Sequence, residues 1–166
     1  MKIEIKNIKH SEFASEETHC FEATVYVDGK REFIASNDGH GGPDNYHPLK
    51  GGSGKQVWDR VKEINDILSQ EQVDVMGDGK HFISNSLEIV IGDLMNLHLG
   101  LKNIKSKLRR RIMAVNAEGV VYEYKADPKK TSPEAIKKLE KDTGYTVLNG
   151  LPDDQLQIHL KKFLSQ

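Results

Sequence analysis

The sequence predicts an α+β fold in which antiparallel β-hairpins pack with helices, one of them a long central helix carrying a heptad seam. Three observations predict it. Apolar and charged residues alternate with strand period at Met1, Ile3 and Ile5, and again on both sides of Asp28-Gly29. Val57, Trp58, Val61, Ile64, Ile67 and Leu68 recur at helix spacing. Leu87, Val90, Leu94, Leu97, Leu101, Ile104 and Leu108 then follow one another at alternating spacings of three and four. The 166 residues are read as a single domain, with a hairpin sheet and glycine-rich loop over about 1–53, a helical hairpin over about 54–111 and a ββαβα part over about 112–166.

The elements follow in order. Met1–Lys6 reads as a strand, and the polar stretch 9–19 as a loop with Phe13 as its anchor. Phe21–Val27 and Lys30–Ala35 flank Asp28-Gly29, the dipeptide that a type I′ turn favours because both central residues take positive φ. A long loop, Ser36–Pro48, leads through Gly51-Gly52-Ser53-Gly54 into a helix at about 54–70, with Ser53 and Gln56 in capping-box positions. The segment 72–82 reads as a second Gly/Asp loop.

Asn85-Ser86 starts the seam helix, expected over about 85–110 and so roughly 39 Å long. Gly92 and Gly100 inside it mark a bend or a close helix contact, and Lys102–Arg111 bring cations to the end where the macrodipole favours them. The strands Ile112–Val115 and Val120–Tyr124 form a hairpin around Asn116–Gly119. Ser132-Pro133 opens a helix that Gly144 closes, and Tyr145–Leu148 is a short strand. Pro152-Asp153-Asp154 opens a last helix with Leu156, Leu160, Phe163 and Leu164 on one side and Lys161 and Lys162 near its end. The predicted order is β-β-β-α-α-β-β-α-β-α.

Composition excludes several classes. The formal net charge is −1, so bulk charge does not announce a nucleic-acid or membrane partner, and any such partner must meet a local patch. Cys20 is the single cysteine, which rules out an intrachain disulfide and fits a reducing cytoplasm. The N-terminus alternates like a strand and not like a signal peptide, and no apolar run approaches membrane-spanning length.

The Ser36–His47 loop carries the chemistry-bearing side chains. Asp38, His40, Asp44 and His47 are ligand types for a divalent metal ion such as zinc or manganese, and Asp78 and His81 join them if the two Gly/Asp loops meet. The same loop suits a nucleotide-like anion, with glycine N–H groups for phosphate and Tyr46 for stacking. It also suits a set of turns with no ligand. Gly51-Gly52-Ser53-Gly54-Lys55 fails as a phosphate loop because Leu49 and Gln56 stand where a glycine and a Ser or Thr are required. No nucleophile, base and orienter can be assembled by spacing, so binding is read ahead of catalysis.

The other candidate surface is the basic run Lys102–Arg111, with Lys105, Arg109, Arg110 and Arg111 for phosphates or an acidic protein. The seam offers a third surface, a homodimer contact through Leu87, Leu94, Leu97, Leu101 and Leu108, unless it packs on the preceding helix within the chain.

Two short motifs, Ser36-Asn37-Asp38-Gly39-His40-Gly41-Gly42 and Val147-Leu148-Asn149-Gly150-Leu151-Pro152 followed by an acidic helix, resemble small uncharacterised proteins of phages and bacterial mobile elements. The resemblance implies a setting: accessory proteins that act by binding, including inhibitors of host defence systems. The expectation is therefore a non-enzymatic cytoplasmic protein that needs no cofactor. It would engage a protein or nucleoprotein target through Asn37, Asp38, His40, Tyr46 and His47 and through the basic helix end. The alternatives are a nucleotide-like anion binder and a metal-dependent phosphoesterase or nuclease using the Asp/His loop.

Overall fold

The computed structural model of the chain describes residues 1–74 and 76–164, with side chains described as far as residue 159. It is α+β, with antiparallel sheets and helices in two compact units, Met1–Met95 and Asn96–Gln166. Among the described residues no helix is long and apolar enough to cross a membrane.

The first unit is built on an antiparallel meander of β1 (Ile3–Ser11), β2 (Cys20–Val27), β3 (Lys30–Asn37) and β4 (Asn45–Pro48), in that spatial order. Asp28 and Gly29 take φ of 48° and 81°, as the type I′ turn requires. Strand alternation places Phe21, Ala23, Val25, Val27, Phe33 and Ala35 in the core. The register Ala35↔Tyr46 and Phe33↔Pro48 puts Tyr46 and Pro48 on that same face. The other face carries Lys9, Glu22, Ser36 and Asn45 in one row and Lys6, Thr24, Ile34 and His47 in the next.

Helix α1 (Gly54–Leu68) packs beside β4 and buries Val57, Val61, Ile64 and Leu68. Trp58 and Ile67 do not share that stripe: they are 70% and 50% exposed. A spacing of four, three and four is enough to line one helix face, and the two additional apolar residues fall off it. Ser53 has N-cap geometry, but its hydroxyl makes no cap hydrogen bond, so the capping box does not form. Phe13 is fully exposed and anchors nothing. Between the helices, β5 (Gln72–Asp74) and β6 (Phe82–Ser84) form a small hairpin within the stretch expected to be a loop.

Helix α2 (Leu87–Leu108) crosses the boundary between the units. Its first half buries Leu87, Ile91 and Met95, of which only Leu87 belongs to the heptad seam. The Leu87 N–H donates to the side-chain oxygen of Asn65 at 2.8 Å, which ties the start of α2 to α1. In the second unit, Leu101, Ile104 and Leu108 pack on Met113, Val115, Leu148 and Leu156. Leu87, Leu101 and Leu108 are thus taken up within the chain, leaving Leu94 and Leu97 half-buried.

The second unit is a three-stranded antiparallel sheet with β7 (Ile112–Val115) between β8 (Val121–Tyr124) and β9 (Thr146–Val147). One face of β7 meets the end of α2 and Leu156 of α4 (Asp153–Leu164). The other packs through Ile112, Ala114 and Val147 on Ile136 and Leu139 of α3 (Pro133–Thr143). The α3 caps match the sequence: Ser132 Oγ accepts from the Ala135 N–H at 3.2 Å, and Gly144 closes the helix at φ 71°. The expected apolar contacts of Leu160, Phe163 and Leu164, and the charges of Lys161 and Lys162, lie outside the described residues.

Gly92 is neither at positive φ nor near another chain segment; a Cβ there would meet nothing within 4 Å. It is not a point of close helix contact. Gly92→Ala is therefore expected to stabilise the protein by about 1 kcal/mol through helix propensity alone, read as a higher midpoint in urea unfolding. A lower midpoint would reveal packing at this position.

Candidate functional site

The glycine-rich loop is shorter and more tied down than its composition suggests. Because β4 begins at Asn45, the irregular part is residues 38–44. Its centre is Asn37, at the end of β3 and only 7% exposed. The Asn37 Oδ1 accepts from the Thr18 hydroxyl at 2.7 Å and from the Gly39 N–H at 2.9 Å. Its Nδ2 donates to the Gly42 carbonyl and to Asp44 Oδ1, each at 3.1 Å. The Gly39 carbonyl in turn accepts from the N–H groups of Glu16, Glu17 and Thr18. At φ +90°, a side chain at Gly39 would be strained, and its Cβ would run into the Ala14 carbonyl oxygen. The β3–β4 loop is thus fastened to the β1–β2 connection, and the amide of Asn37 is fully used in doing so.

The remaining loop candidates are dispersed. Tyr46 lies on the core face with its ring edge-on to Phe33, centroids 5.7 Å apart. Burial, Asp44 and Glu88 all push its hydroxyl pKa up from the ordinary value, and the contact with Phe33 makes its ring a packing element. Asp44 is held by Asn37; burial and Glu88 raise its carboxyl pKa against the opposing effect of that hydrogen bond. His40 Nδ1 lies 3.3 Å from Glu16 Oε2 at the surface, Asp38 is exposed, and His47 is exposed on the outer face of β4 opposite Ile34. In the other loop Asp78 accepts from its own neighbours Lys80 and His81. Among the described residues no group of three or more His, Cys, Asp or Glu is arranged to hold a metal ion.

The basic helix end, by contrast, gains members in three dimensions. Helix α2 ends at Leu108 and Arg109–Arg111 form the turn into β7, with the N–H groups of Arg110 and Arg111 both donating to the Lys107 carbonyl. Asn149 holds this turn. Its Nδ2 donates to the carbonyls of Leu108 at 3.0 Å and Arg111 at 2.9 Å, while its Oδ1 accepts from the Met113 N–H at 2.8 Å. The antiparallel pairing Ile112↔Tyr124 then brings the end of β8 back to the turn.

The result is an open concavity of about 760 Å³. Lys107, Arg109, Arg110 and Arg111 line it from the helix end, Glu123, Lys125 and Ala126 from β8 and beyond, and Asp127 and Lys129 from the loop that follows. Glu123 takes Lys107 at 2.8 Å and Arg111 at 3.7 Å, and Lys107 holds its carboxyl below the usual range. Lys105 is paired instead with Asp153 at 2.6 Å and is not part of the lining. Arg109 and Arg110 are exposed, with no side-chain partner among the described residues.

Lys125 and Lys129 had no place in the sequence reading, which stopped at Arg111. The signal was present in the predicted hairpin: a turn at Asn116–Gly119 returns the chain to its starting end, so whatever follows Tyr124 must lie beside the basic turn. Comparison with protein-family models, with curated proteins and with solved structures finds no match to the chain.

Two variants probe the fastenings. A carboxyl whose folded-state pKa is raised binds its proton more tightly folded than unfolded, so its charge penalises folding above that pKa, and the penalty disappears as pH falls below the unfolded value. Asp44→Asn keeps an acceptor for Asn37 and removes the charge. It should melt higher than the parent at neutral pH, with the gap closing on acidification towards the ordinary aspartate value of 3.8; a gap that does not change with pH would contradict this. Asn149→Asp keeps the acceptor for Met113 but faces two carbonyls with a carboxylate. It should cost about 2 kcal/mol or more in denaturant unfolding, whereas a loss below about 0.5 kcal/mol would show that the clamp carries no weight.

Proposed function

We propose that the protein acts by binding and not by catalysis, and that it docks an anionic face of a protein or nucleoprotein target on the concavity between the end of α2 and the end of β8. The observation that carries this reading is the convergence of Lys107, Arg109, Arg110, Arg111, Lys125 and Lys129 from two chain segments, 107–111 and 125–129, in a protein whose formal net charge is only −1. A local field of one sign against a balanced background steers an anionic partner to one place and one orientation. The exposed Asp38, His40 and His47 of the first unit offer a second, smaller contact. A cytoplasmic accessory protein of a phage or mobile element, acting as an inhibitor of a host defence system, is the setting that the two resembling motifs suggest.

A nucleotide-like ligand is the less favoured occupant. The cavity volume lies in the range of small-molecule pockets. Such pockets are lined mainly by apolar and aromatic side chains, however, and among the described residues Ala126 is the only apolar one here.

Affinity capture from the native host tests the proposal. Arg109→Glu, Arg110→Glu and Arg111→Glu together should abolish recovery of the main target, while His40→Ala with His47→Ala should weaken it severalfold. Undiminished capture by the charge-reversed protein, with its melting curve intact, would remove the concavity from the function.

A further inference from the structure

We infer that the anionic face recognised by the concavity is the phosphodiester backbone of a nucleic-acid duplex, a narrowing that rests on the docking reading above. Three observations separate this partner from the others that a basic surface can take.

The first is the lining. Protein interfaces draw their affinity from aromatic and large aliphatic anchors seated in pockets, with charge at the rim. Here charged side chains make up the lining apart from Ala126, the only apolar contact among the described residues. Interfaces to nucleic-acid backbones are polar, positive and wet, which matches this composition.

The second is the absence of a stacking platform. Single-stranded nucleic acid is held largely by bases stacked on aromatic rings. Among the described residues no aromatic side chain lines the concavity, and Tyr122, on the neighbouring strand position, is stacked on Tyr145 with ring centroids 4.8 Å apart. A duplex, whose bases are already stacked, asks only for phosphate contacts.

The third is how the cations are partnered. Glu123 pairs with both Lys107 and Arg111, whereas Asp127 accepts only from the backbone N–H of Lys129, at 2.9 Å. The charged ends of Arg109, Arg110, Lys125 and Lys129 have no side-chain partner among the described residues. Coming from two separate stretches of chain, they can meet successive phosphates along a backbone. Each cation that meets a phosphate releases a condensed counterion, so binding should weaken with salt in proportion to the number of contacts. Glu123 has a definite role here: while it holds Lys107 and Arg111, it keeps two further cations from the backbone.

The test is binding of the full chain to fluorescent 20-base-pair DNA and RNA duplexes of unrelated sequence, with the corresponding single strands and poly-glutamate as further arms. Duplexes should bind in the micromolar range at low salt, with log affinity falling against log salt at a slope of about −4 for four phosphates. Single strands and poly-glutamate should bind at least several-fold more weakly. Comparison of the DNA and RNA arms identifies which duplex is preferred.

Arg109→Ala with Arg110→Ala and Lys125→Ala should abolish the binding. Lys137→Ala with Lys138→Ala, which removes charge from the exposed side of α3, should change it less than twofold. Glu123→Gln should tighten binding and steepen the slope towards −5, a gain that a merely structural role for Glu123 would not produce. Thermal unfolding of each variant separates lost binding from lost fold, and Glu123→Gln serves as the decisive arm if the triple variant does not fold.

No duplex binding at low salt, equal binding of poly-glutamate, or an equal loss in the α3 control would overturn the inference. If duplexes fail while the charge-reversed protein still loses its captured target, the docking reading stands and the partner is an acidic protein. If both fail, the concavity is not a binding surface.

Discussion

A small number of asparagine side chains hold the irregular parts of this protein together. Wherever the chain turns sharply without regular structure, backbone N–H and C=O groups lose their ladder partners and must find others. A primary amide suits this need because it offers donors and acceptors on one short stem. Asn37 uses both ends to join the loop after β3 to the connection before β2. Asn149 does the same between the end of α2, the start of β7 and the turn before α4. Asn65 supplies an acceptor to the first turn of α2. Asn37 and Asn149 each lie within one of the two short motifs singled out in the sequence, so a structural requirement accounts for part of what makes those stretches distinctive.

This changes the weight given to the two functional candidates. The glycine-rich loop drew attention for its residue types, yet its glycines, Asn37 and Asp44 serve its own closure, and Tyr46 serves the core. What it leaves to solvent is Asp38, His40 and His47. The basic turn shows the reverse. Asn149 takes care of its backbone, which leaves the side chains of Arg109 and Arg110 with no structural task.

Much of the fold was legible because its signals are local. Asp28-Gly29 needed only its own φ preferences, and α3 was bounded by Ser132, Pro133 and Gly144 within a single segment. The misses are places where tertiary context decided. β4, β5 and β6 are three or four residues long, too short for alternation to register, and exist because a neighbouring strand supplies the hydrogen bonds. The heptad pattern in α2 holds in the second unit, where Leu101, Ile104 and Leu108 pack partly buried, but in the first burial follows Leu87, Ile91 and Met95 instead. A periodicity count cannot know that one helix serves two cores. Trp58 and Phe13 were read inward because they are large and apolar, and hydrophobicity alone does not fix direction. Lys125 and Lys129 joined the site through strand pairing, a long-range fact that the run Lys102–Arg111 does not contain.

The basic cluster could in principle be nothing more than a well-made helix end, since cations near a C-terminus are stabilised by the macrodipole. Its composition argues against that as the whole account. Lys105 and Lys107 already lie in the last turn of α2, each paired with a carboxylate. The dipole effect falls off within one turn, so Lys125 and Lys129 gain little from it, while their proximity to Arg109–Arg111 adds repulsion that destabilises the folded state. Placing unpaired like charges together works against folding, and sites that do so are where stability is commonly given up for function. The concavity fits that description: its paired cations finish the helix, and its unpaired ones are those that the proposed docking of an anionic partner would use.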